Sequence, residues 1–381
     1  MRKVYIAAFG SGMGHATRMS LVAEALREAG FEVAFSSSGE VTSWLRAKGY
    51  RCNDIPLVDV AYDETGAFSS SATARNAPSI VSGFDRQVAC ELRNIMTYSP
   101  EVVLSDSMFS TVVAARLLGV RAIVVLNQLR LFPSPRTPRV LSELISSGSV
   151  LLGDLLWGYC ESVVVPDLPP PYTISERNLW NAGSSSARAK YVGFLTPRNR
   201  VAPDALTEKL RKVDRTKVFW QVSGPPATRG PFLAKALALS KLLGDKYLFV
   251  VATGNPRGST EPRAIPGGFM YEWCPSPGPL LEMCSSVVSR AGHVSVSDYV
   301  MRAKPSLLVP IPSQTEQVGN ATKAEKLGVA IKVEEEDLDV TAVEESLASL
   351  SEGKYLDRAK EMSEVAKGFD ARSSVVRCVG H

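Results

Sequence analysis

One histidine follows a glycine-rich turn near the start of the chain. In the stretch FGSGMGHATR, Gly10, Gly12 and Gly14 precede His15, and the apolar run VYIAAF comes just before them. Glycine lets a ligand approach the backbone closely, and a histidine changes its charge near neutral pH. A dinucleotide-binding fingerprint does not fit, because His15 stands where its third glycine belongs and no acidic residue closes the next apolar run, FEVAFSSS. The turn is therefore predicted to hold another kind of ligand beside a group that can transfer a proton.

The elements around this turn repeat one pattern, a short β-branched run followed by a turn and a helical pattern. In the first half, strands are predicted near 3–9, 31–36, 51–56, 101–105, 121–126 and 161–165, with helices near 16–29, 39–48, 78–98, 107–118 and 136–158. A second winding begins at KVFWQVSG and continues with helices over 230–243, 295–303 and 316–327. This alternation indicates an α/β fold with parallel sheets. We expect two similar domains facing each other across a cleft, with ligands at the carboxyl ends of the strands.

Length and composition agree with two globular domains. The chain has 381 residues, of which 45% are hydrophobic and 22% charged. The segment PRNRVAPDALTEKLRK is predicted to connect a domain over 1–200 with a domain over 201–381. The segment over 57–77 is predicted to be a long loop, either functional or plain surface.

Charge, cysteine usage and hydropathy exclude several classes of protein. The formal charge is +4, but lysines and arginines form no run, so nucleic acid is not an expected partner. Six scattered cysteines without a C-x-x-C pair and only three histidines predict neither disulfides nor a structural metal ion. We find no leader-like segment and no apolar stretch of about 20 residues, which favours a cytoplasmic protein.

A longer motif lies between Trp273 and Asn320, and it reads WCPSPGPLLEMCSSVVSRAGHVSVSDYVMRAKPSLLVPIPSQTEQVGN. Its order of Trp-x-Pro, a helix, a strand ending in G-x-x-S-x-x-acid, and acid-Gln-x-x-Asn resembles the nucleotide-sugar box of the inverting glycosyltransferases of the GT-B class. SRAGHVSVSD is similar to the corresponding segment of the lipid-linked N-acetylglucosaminyltransferases of bacterial peptidoglycan synthesis. GSGMGH resembles these enzymes and the wider UDP-glycosyltransferase superfamily. The resemblance implies two Rossmann-like domains, a nucleotide-sugar donor (a UDP-sugar), inversion at the sugar, no metal ion, and a last helix that packs back on the first domain.

The resemblance places the donor-binding residues in the second half. Gly292 leaves room for a pyrophosphate beside the backbone, and Ser295 adds a hydroxyl near the first N–H groups of a helix. Asp298 stands where the family has a ribose-binding glutamate. Glu316 and Gln317 match the pair that binds the hydroxyls of the donor sugar, although they could instead cap the following helix.

Further donor contacts follow from the same motif. The positions implied are Ser223 and Gly224 for phosphate, Trp273 and Cys274 for the base, Arg290 for the diphosphate charge, and His293 as a residue of the cleft without an assigned role. Arg290 could instead form an ion pair between the domains, and Trp273 could be a core residue.

The resemblance also implies a pair of residues for proton transfer. Many enzymes of the superfamily use the loop histidine with an aspartate after a later strand, whereas some use an acidic residue elsewhere as the base, and Asp106 in EVVLSDSMF occupies the place of that aspartate. Such an aspartate fixes the imidazole tautomer and stabilises the imidazolium. Alternatively, His15 could bind diphosphate or pack between the domains, and Asp106 could only cap the next helix. Arg18 and Asn127 are predicted to contact the acceptor, with a plain surface charge as the alternative for Arg18.

The acceptor is not specified by the sequence and could be a small molecule, a glycan or a lipid-linked molecule. The helix over 136–158 is apolar and has Arg130, Arg136 and Arg139 before or at its start. It could be a core helix or an amphipathic face that contacts the inner side of a membrane. Two other functions stay open, a hydrolysing nucleotide-sugar 2-epimerase and a non-catalytic donor-binding subunit.

Overall fold

The computed structural model of the protein describes residues 2–58, 75–133, 137–179, 183–197, 202–275 and 277–380. The described residues form two compact units. The first unit takes those up to Leu195 together with the chain end from Phe369, and the second takes those from Thr196 to Gly368. Most of the loop predicted over 57–77, Arg136 and part of the predicted connecting segment lie outside the described residues.

The first unit is an α/β layer structure. Its described strands β1 to β7 are Lys3–Ala8, Glu32–Ser37, Arg51–Asp54, Val102–Asp106, Arg121–Val125, Ser162–Val165 and Ala189–Tyr191. The helices α1 to α7 are Met13–Glu28, Gly39–Ala47, Ala77–Tyr98, Phe109–Leu117, Arg139–Trp157, Glu176–Leu179 and Gly183–Ala187. The strands pair in parallel throughout, in the order β3-β2-β1-β4-β5-β6-β7. This order is that of a doubly wound sheet, whose ligands bind at the carboxyl ends of the strands.

The core of this unit explains why its strands are continuous apolar runs. Every residue of β1 after Lys3 is buried, because helices cover both faces of the sheet. Helix α1 turns a helical stripe that includes Met19, Val22 and Leu26 toward one face. The last helix of the chain, Ala371–Gly380, packs against α1 in the same unit.

The second unit repeats this architecture. Its described strands β8 to β14 are Thr216–Gln221, Tyr247–Ala252, Arg263–Ile265, Gly268–Tyr271, Ser286–Ser289, Ser306–Leu308 and Ala330–Lys332. The helices α8 to α14 are Ala205–Arg211, Pro226–Leu242, Pro277–Met283, His293–Met301, Thr315–Lys326, Val340–Leu350 and Gly353–Lys367, so that the last helix of the chain is α15. The strand order is β10-β11-β9-β8-β12-β13-β14, and only β10 runs antiparallel to its neighbour.

Two Rossmann-like domains with parallel sheets are thus confirmed, with a few differences in detail. The short strands β7 and β10 were not predicted, since each has only three residues and no clear alternation. Helix α1 begins at Met13 rather than near residue 16, so Gly14 and His15 lie in its first turn instead of in the loop. Gly12, with φ +84°, makes this early start possible, because it lets the chain turn directly into the helix.

Candidate active site

Three neighbouring strands of the first unit end side by side and bring its polar residues together. Ala8, the last residue of β1, lies opposite Asp106 at the end of β4, and Asp106 lies opposite Val125 at the end of β5. Helix α1 follows β1 directly, so its first two turns, with His15 and Arg18, begin beside Asp106. The strand order therefore explains how residues about 90 positions apart in the chain can meet.

His15, Asp106 and Arg18 form one hydrogen-bonded cluster. Nδ1 of His15 lies 2.9 Å from Oδ1 of Asp106. Arg18 donates from Nε to Oδ2 of Asp106 over 2.6 Å, and its Nη2 group donates to Oδ1 of the same carboxylate. Nη1 of Arg18 donates to Oδ1 of Asn127 over 2.9 Å, and the Ser107 hydroxyl donates to Asp106 over 3.3 Å. The predicted pairing of His15 with an aspartate is therefore present in the geometry.

Burial and charge together set the protonation of Asp106. Asp106 and Arg18 are buried, whereas the His15 side chain is 24% exposed. Burial alone would raise the pKa of Asp106, but the Arg18 guanidinium and the His15 imidazole outweigh it and lower this pKa below the ordinary value of 3.8. Asp106 is consequently ionised at neutral pH and can only accept hydrogen bonds.

The environment of Arg18 is neither the acceptor contact nor the surface position that the sequence suggested. It is not a surface charge, because only 2% of its side chain is exposed. Its guanidinium is already engaged by Asp106 and Asn127, which does not fit the predicted contact with an acceptor phosphate. Arg18 instead positions Asp106. Its spacing of three residues from His15, which puts both on one helix face, was the available signal for this role.

The glycine turn before α1 has open space beside it. Gly12 is the N-cap residue of α1, and a Cβ atom built on it would meet no atom within 4 Å. Gly10 packs closely on Ser38, where a Cβ atom would lie 2.8 Å from that side chain. Phe9 meets the His15 imidazole edge-on, with 5.5 Å between ring centroids. The start of α1 can therefore receive a ligand next to His15.

Helix α11 of the second unit also begins at a residue with open space beside it. Gly292 is its N-cap residue in an extended conformation, and a Cβ atom there would meet nothing within 4 Å. His293 is buried and Ser295 half-buried in the first turn. Asn320 donates from Nδ2 to the carbonyl of Ala291 over 3.1 Å and so fixes the preceding turn. The first N–H groups of a helix attract anions, and pyrophosphate binding at this turn stays a prediction.

The turn after β8 contains the other predicted phosphate contacts, Ser223 and Gly224. Gly224 has φ +110°, and a Cβ atom there would lie 2.8 Å from Oγ1 of Thr228. Arg229 donates from Nε to the carbonyl of Gly224 over 2.9 Å. This turn requires glycine for its own backbone, and its contact with phosphate stays a prediction.

Glu316 and Gln317 lie in the first turn of α12. The Oε1 atom of the buried Gln317 accepts the N–H of Ile311 over 3.0 Å, so the amide nitrogen is the part of this side chain that can meet a sugar hydroxyl. The N-cap residue of α12 is Gln314. Sugar binding by Glu316 and Gln317 stays a prediction.

The region predicted to recognise the base lies in the loop after β11. Trp273 is half-buried. The alternative that it is a core residue is therefore wrong. Its N–H donates to the carbonyl of Ser259 over 3.0 Å. Because this N–H already has a partner, the predicted contact with the base is left to the carbonyl of Trp273 and the backbone of Cys274. It stays a prediction.

Two charged residues of the second unit have partners that were not predicted. Arg290 is buried and donates to both carboxylate oxygens of Glu335 over 2.9 and 3.1 Å, with its guanidinium 4.1 Å from the Phe232 ring centroid. Because Arg290 and Glu335 lie in one unit, an ion pair between the domains is wrong, and the predicted charge for the diphosphate is already neutralised. Asp298 accepts from Nε of Arg302 over 3.0 Å. Its contact with ribose stays a prediction for the other carboxylate oxygen.

Metal-ion chemistry has no obvious centre in the part of the chain that the structure describes. Within those ranges, no group of three His, Cys, Asp or Glu side chains is arranged to hold a metal ion.

Comparisons with known proteins agree with this architecture. The model of the glycosyltransferase family 28 C-terminal domain matches residues 237–376, and that of glycosyl transferase family 1 matches residues 1–141. An uncharacterized glycosyltransferase of Methanosarcina mazei is 24% identical over 98% of this chain and 96% of its own. The UDP-N-acetylglucosamine--N-acetylmuramyl-(pentapeptide) pyrophosphoryl-undecaprenol N-acetylglucosamine transferase of Lactobacillus helveticus is 36% identical over 39% of this chain and 44% of its own. The structure of the spinosyn rhamnosyltransferase SpnG complexed with thymidine diphosphate superposes over the whole of both chains with a TM-score of 0.71 at 16% identity.

Fold, site and matches define a glycosyltransferase of the GT-B class. Residues 237–376 match the family 28 C-terminal domain, and the enzyme transfers a sugar from a nucleotide-sugar donor. This identification favours the transferase over the 2-epimerase and over the non-catalytic subunit that the sequence left open.

Proposed function

We propose that the protein transfers the sugar of a UDP-sugar to a hydroxyl acceptor with inversion and without a metal ion, and that His15 is the general base. The observation that carries this proposal is the 2.9 Å contact between Nδ1 of His15 and the ionised, buried carboxylate of Asp106. A base held in this way on the first turn of α1 can act on an acceptor bound beside the glycine turn.

The hydrogen bond decides which nitrogen of His15 carries the proton. Nδ1 lies 2.9 Å from Oδ1 of Asp106, an acceptor, and 3.2 Å from Nη2 of Arg18, a donor. We assign the proton to Nδ1, because this tautomer gives the shorter contact with the charged carboxylate. Nε2 then has a lone pair that can accept the proton of the acceptor hydroxyl.

Inversion follows from a single displacement. The acceptor oxygen attacks the anomeric carbon while its proton passes to Nε2 of His15, and the bond from that carbon to the diphosphate oxygen breaks. The resulting imidazolium is stabilised by Asp106, which stays ionised throughout. The nucleoside diphosphate takes the bonding electrons and departs from the opposite face of the sugar.

The second unit supplies the features that support a diphosphate leaving group. The N-terminus of α11 and the open space at Gly292 suit a pyrophosphate, whose added charge the helix dipole stabilises. This contribution is the support for a reaction without a metal ion. Two relatives support a pyrimidine nucleotide, since one is named for UDP-N-acetylglucosamine and the other was solved with thymidine diphosphate. We favour uridine because the relative named for it has the higher sequence identity.

The experiment has two stages. Thermal unfolding is measured with UDP, dTDP, GDP and their sugars in the presence of EDTA, because a ligand at about 100 times its Kd adds about 2.7 kcal/mol to the stability of the folded state. The proposal predicts a shift with UDP and a larger one with one UDP-sugar. The configuration of the product at the anomeric carbon is then read by NMR with that donor and a panel of hydroxyl acceptors. A retained configuration, a shift with GDP alone, or turnover that EDTA abolishes would each contradict part of the proposal.

A further inference from the structure

Helix α5 turns an apolar face away from the unit to which it belongs. Among the described residues, it is the one helix long and apolar enough, by length and composition, to cross a membrane. Its 19 residues extend over about 28 Å. Seven large apolar side chains on it are exposed, namely Val140, Leu141, Leu144, Ile145, Leu151, Leu152 and Leu155. The core-helix alternative from the sequence is therefore wrong.

These side chains form one stripe. At 100° per residue they fall within roughly 140° of the helix circumference, and no charged residue lies in that sector. The buried residues Ser146, Gly153 and Trp157 lie on the opposite face. Exposed apolar surface of this length marks a site of contact with a protein or a membrane.

The opposite face is firmly attached to the first unit. Trp157 stacks on Phe109 with 4.4 Å between ring centroids, and Ser146 accepts a hydrogen bond from Nε of Arg130 over 2.5 Å. Asp154 accepts the N–H groups of Ser184 and Ser185 over 2.8 and 2.7 Å. A helix held in this way cannot cross a bilayer without losing these contacts, but it can lie flat on one.

Charge around the stripe favours an anionic partner. At the C-terminal end of α5, the exposed Arg116 lies over the ring of Tyr159, 5.1 Å from its centroid, and the exposed Arg188 donates to the carbonyl of Trp157 over 3.2 Å. At the other end, Arg139 and Glu143 offset each other in an ion pair of 3.3 Å. Two arginines against Asp154, the carboxylate on this half of α5, leave the C-terminal end with a net positive charge.

We propose that the exposed face of α5 docks on the surface of an anionic lipid bilayer, with Leu144 and Leu151 in the acyl boundary and Arg116 near the headgroups. The stripe is aliphatic and offers no hydrogen-bonding anchor, whereas the centres of protein interfaces are enriched in Tyr, Trp and Arg. A lipid surface accepts aliphatic side chains without specific partners, and basic residues at its edge add attraction to anionic headgroups. This inference is independent of the donor and of the base.

Vesicle co-sedimentation of the full-length protein tests the proposal. Vesicles of phosphatidylcholine alone are compared with vesicles that also contain phosphatidylglycerol. The wild type is expected to bind the anionic vesicles more tightly, and Leu144→Glu/Leu151→Glu is expected to lose at least about tenfold in binding. Both leucines are mostly exposed, at 66% and 72%, so the fold should tolerate the change. Leu242→Glu, at a 63% exposed position in the second unit, is the matched control and should bind as the wild type does.

Thermal unfolding of each variant verifies that it is folded. No binding of the wild type to anionic vesicles, or equal binding by the double variant, would overturn the proposal. Light scattering after size-exclusion chromatography tests the alternative that a second copy of the chain covers the exposed face of α5. A dimer that the double variant dissociates, together with no vesicle binding, would assign the face to a second copy of the chain and overturn the lipid contact.

Discussion

Replacing Arg18 by methionine removes the charge that lowers the pKa of Asp106. Both side chains are buried, and the guanidinium donates from two of its nitrogens to the carboxylate. Removing one partner of a buried ion pair leaves an uncompensated charge and costs about 3–5 kcal/mol. We expect Arg18→Met to lower the free energy of unfolding of the first unit by that amount at pH 8.

The loss should shrink as the pH falls. In the wild type, the pKa of Asp106 is lowered, so its contribution to stability is complete above the ordinary value of 3.8 and is lost only as the pH falls toward the lowered folded-state pKa. In the variant, burial raises that pKa, and protonation of Asp106 relieves the unpaired charge. The difference in stability between wild type and variant should therefore be smaller at pH 5 than at pH 8.

Urea unfolding followed by circular dichroism measures this difference, and hydrogen exchange of peptides from α1 and β4 assigns the transition to the first unit. Arg27→Met, at an exposed position of the same helix, is the control and should cost less than about 1 kcal/mol through its contact with Tyr50. Arg18→Met/Asp106→Asn should cost at least about 1 kcal/mol less than the two single changes together. Additive costs, or a difference between wild type and Arg18→Met that does not change with pH, would refute the reasoning.

Three further predictions concern other parts of the chain. Gly292→Val should cost no more than about 1 kcal/mol of stability, because valine is a poorer N-cap residue than glycine but its Cβ meets no atom within 4 Å. It should weaken UDP-sugar binding at least about tenfold in titration calorimetry, whereas Gly353→Val at the start of α14 should not, and equal binding by both would count against the pyrophosphate site. Burial raises the pKa of Glu91, so its contribution to stability is complete at low pH and is lost as the pH rises through the raised pKa. In urea unfolding, Glu91→Gln should therefore gain stability relative to the wild type from pH 5 to pH 8, and a difference that does not change with pH would disprove this. Glu335→Gln should lower the stability of the second unit by about 2 kcal/mol, because it removes the charge paired with Arg290. We expect an unchanged donor KM, since this ion pair already holds the Arg290 guanidinium, and a raised KM would support Arg290 as a donor contact.

The spacing of apolar residues along the chain was sufficient to predict most of the strands and helices. Buried strands such as β1 and β4 are apolar runs bounded by turns, and their order along the chain with intervening helices restricts the sheet to few topologies. The start of α1 was placed three residues late, because glycines normally argue against a helix. Gly14 is tolerated because it lies in the first turn of α1, where a residue with low helix propensity costs least.

The site was predictable where a residue type has few uses and unpredictable where its partner is distant. His15 and Asp106 were paired from their motifs, and the geometry brings them together. From sequence alone, an arginine is equally compatible with an exposed position, a ligand contact or a buried ion pair. Which of these roles it has depends on which carboxylate lies beside it in the folded protein. Asp106 reaches Arg18 only because β4 lies beside β1, and Glu335 reaches Arg290 from 45 positions further along the chain.

The role of His15 as the base of the transfer can be measured by the single-turnover rate of His15→Asn at saturating UDP-sugar and acceptor. The asparagine amide can still donate to Asp106, so the cluster keeps its hydrogen bond while the base is lost. If His15 is the base, the rate of the variant should be about 10²–10⁴ times lower than that of the wild type, with an unchanged thermal shift on UDP binding. A rate within about tenfold of the wild type, with the same thermal shift, would show that another group takes the proton and that His15 is not the base.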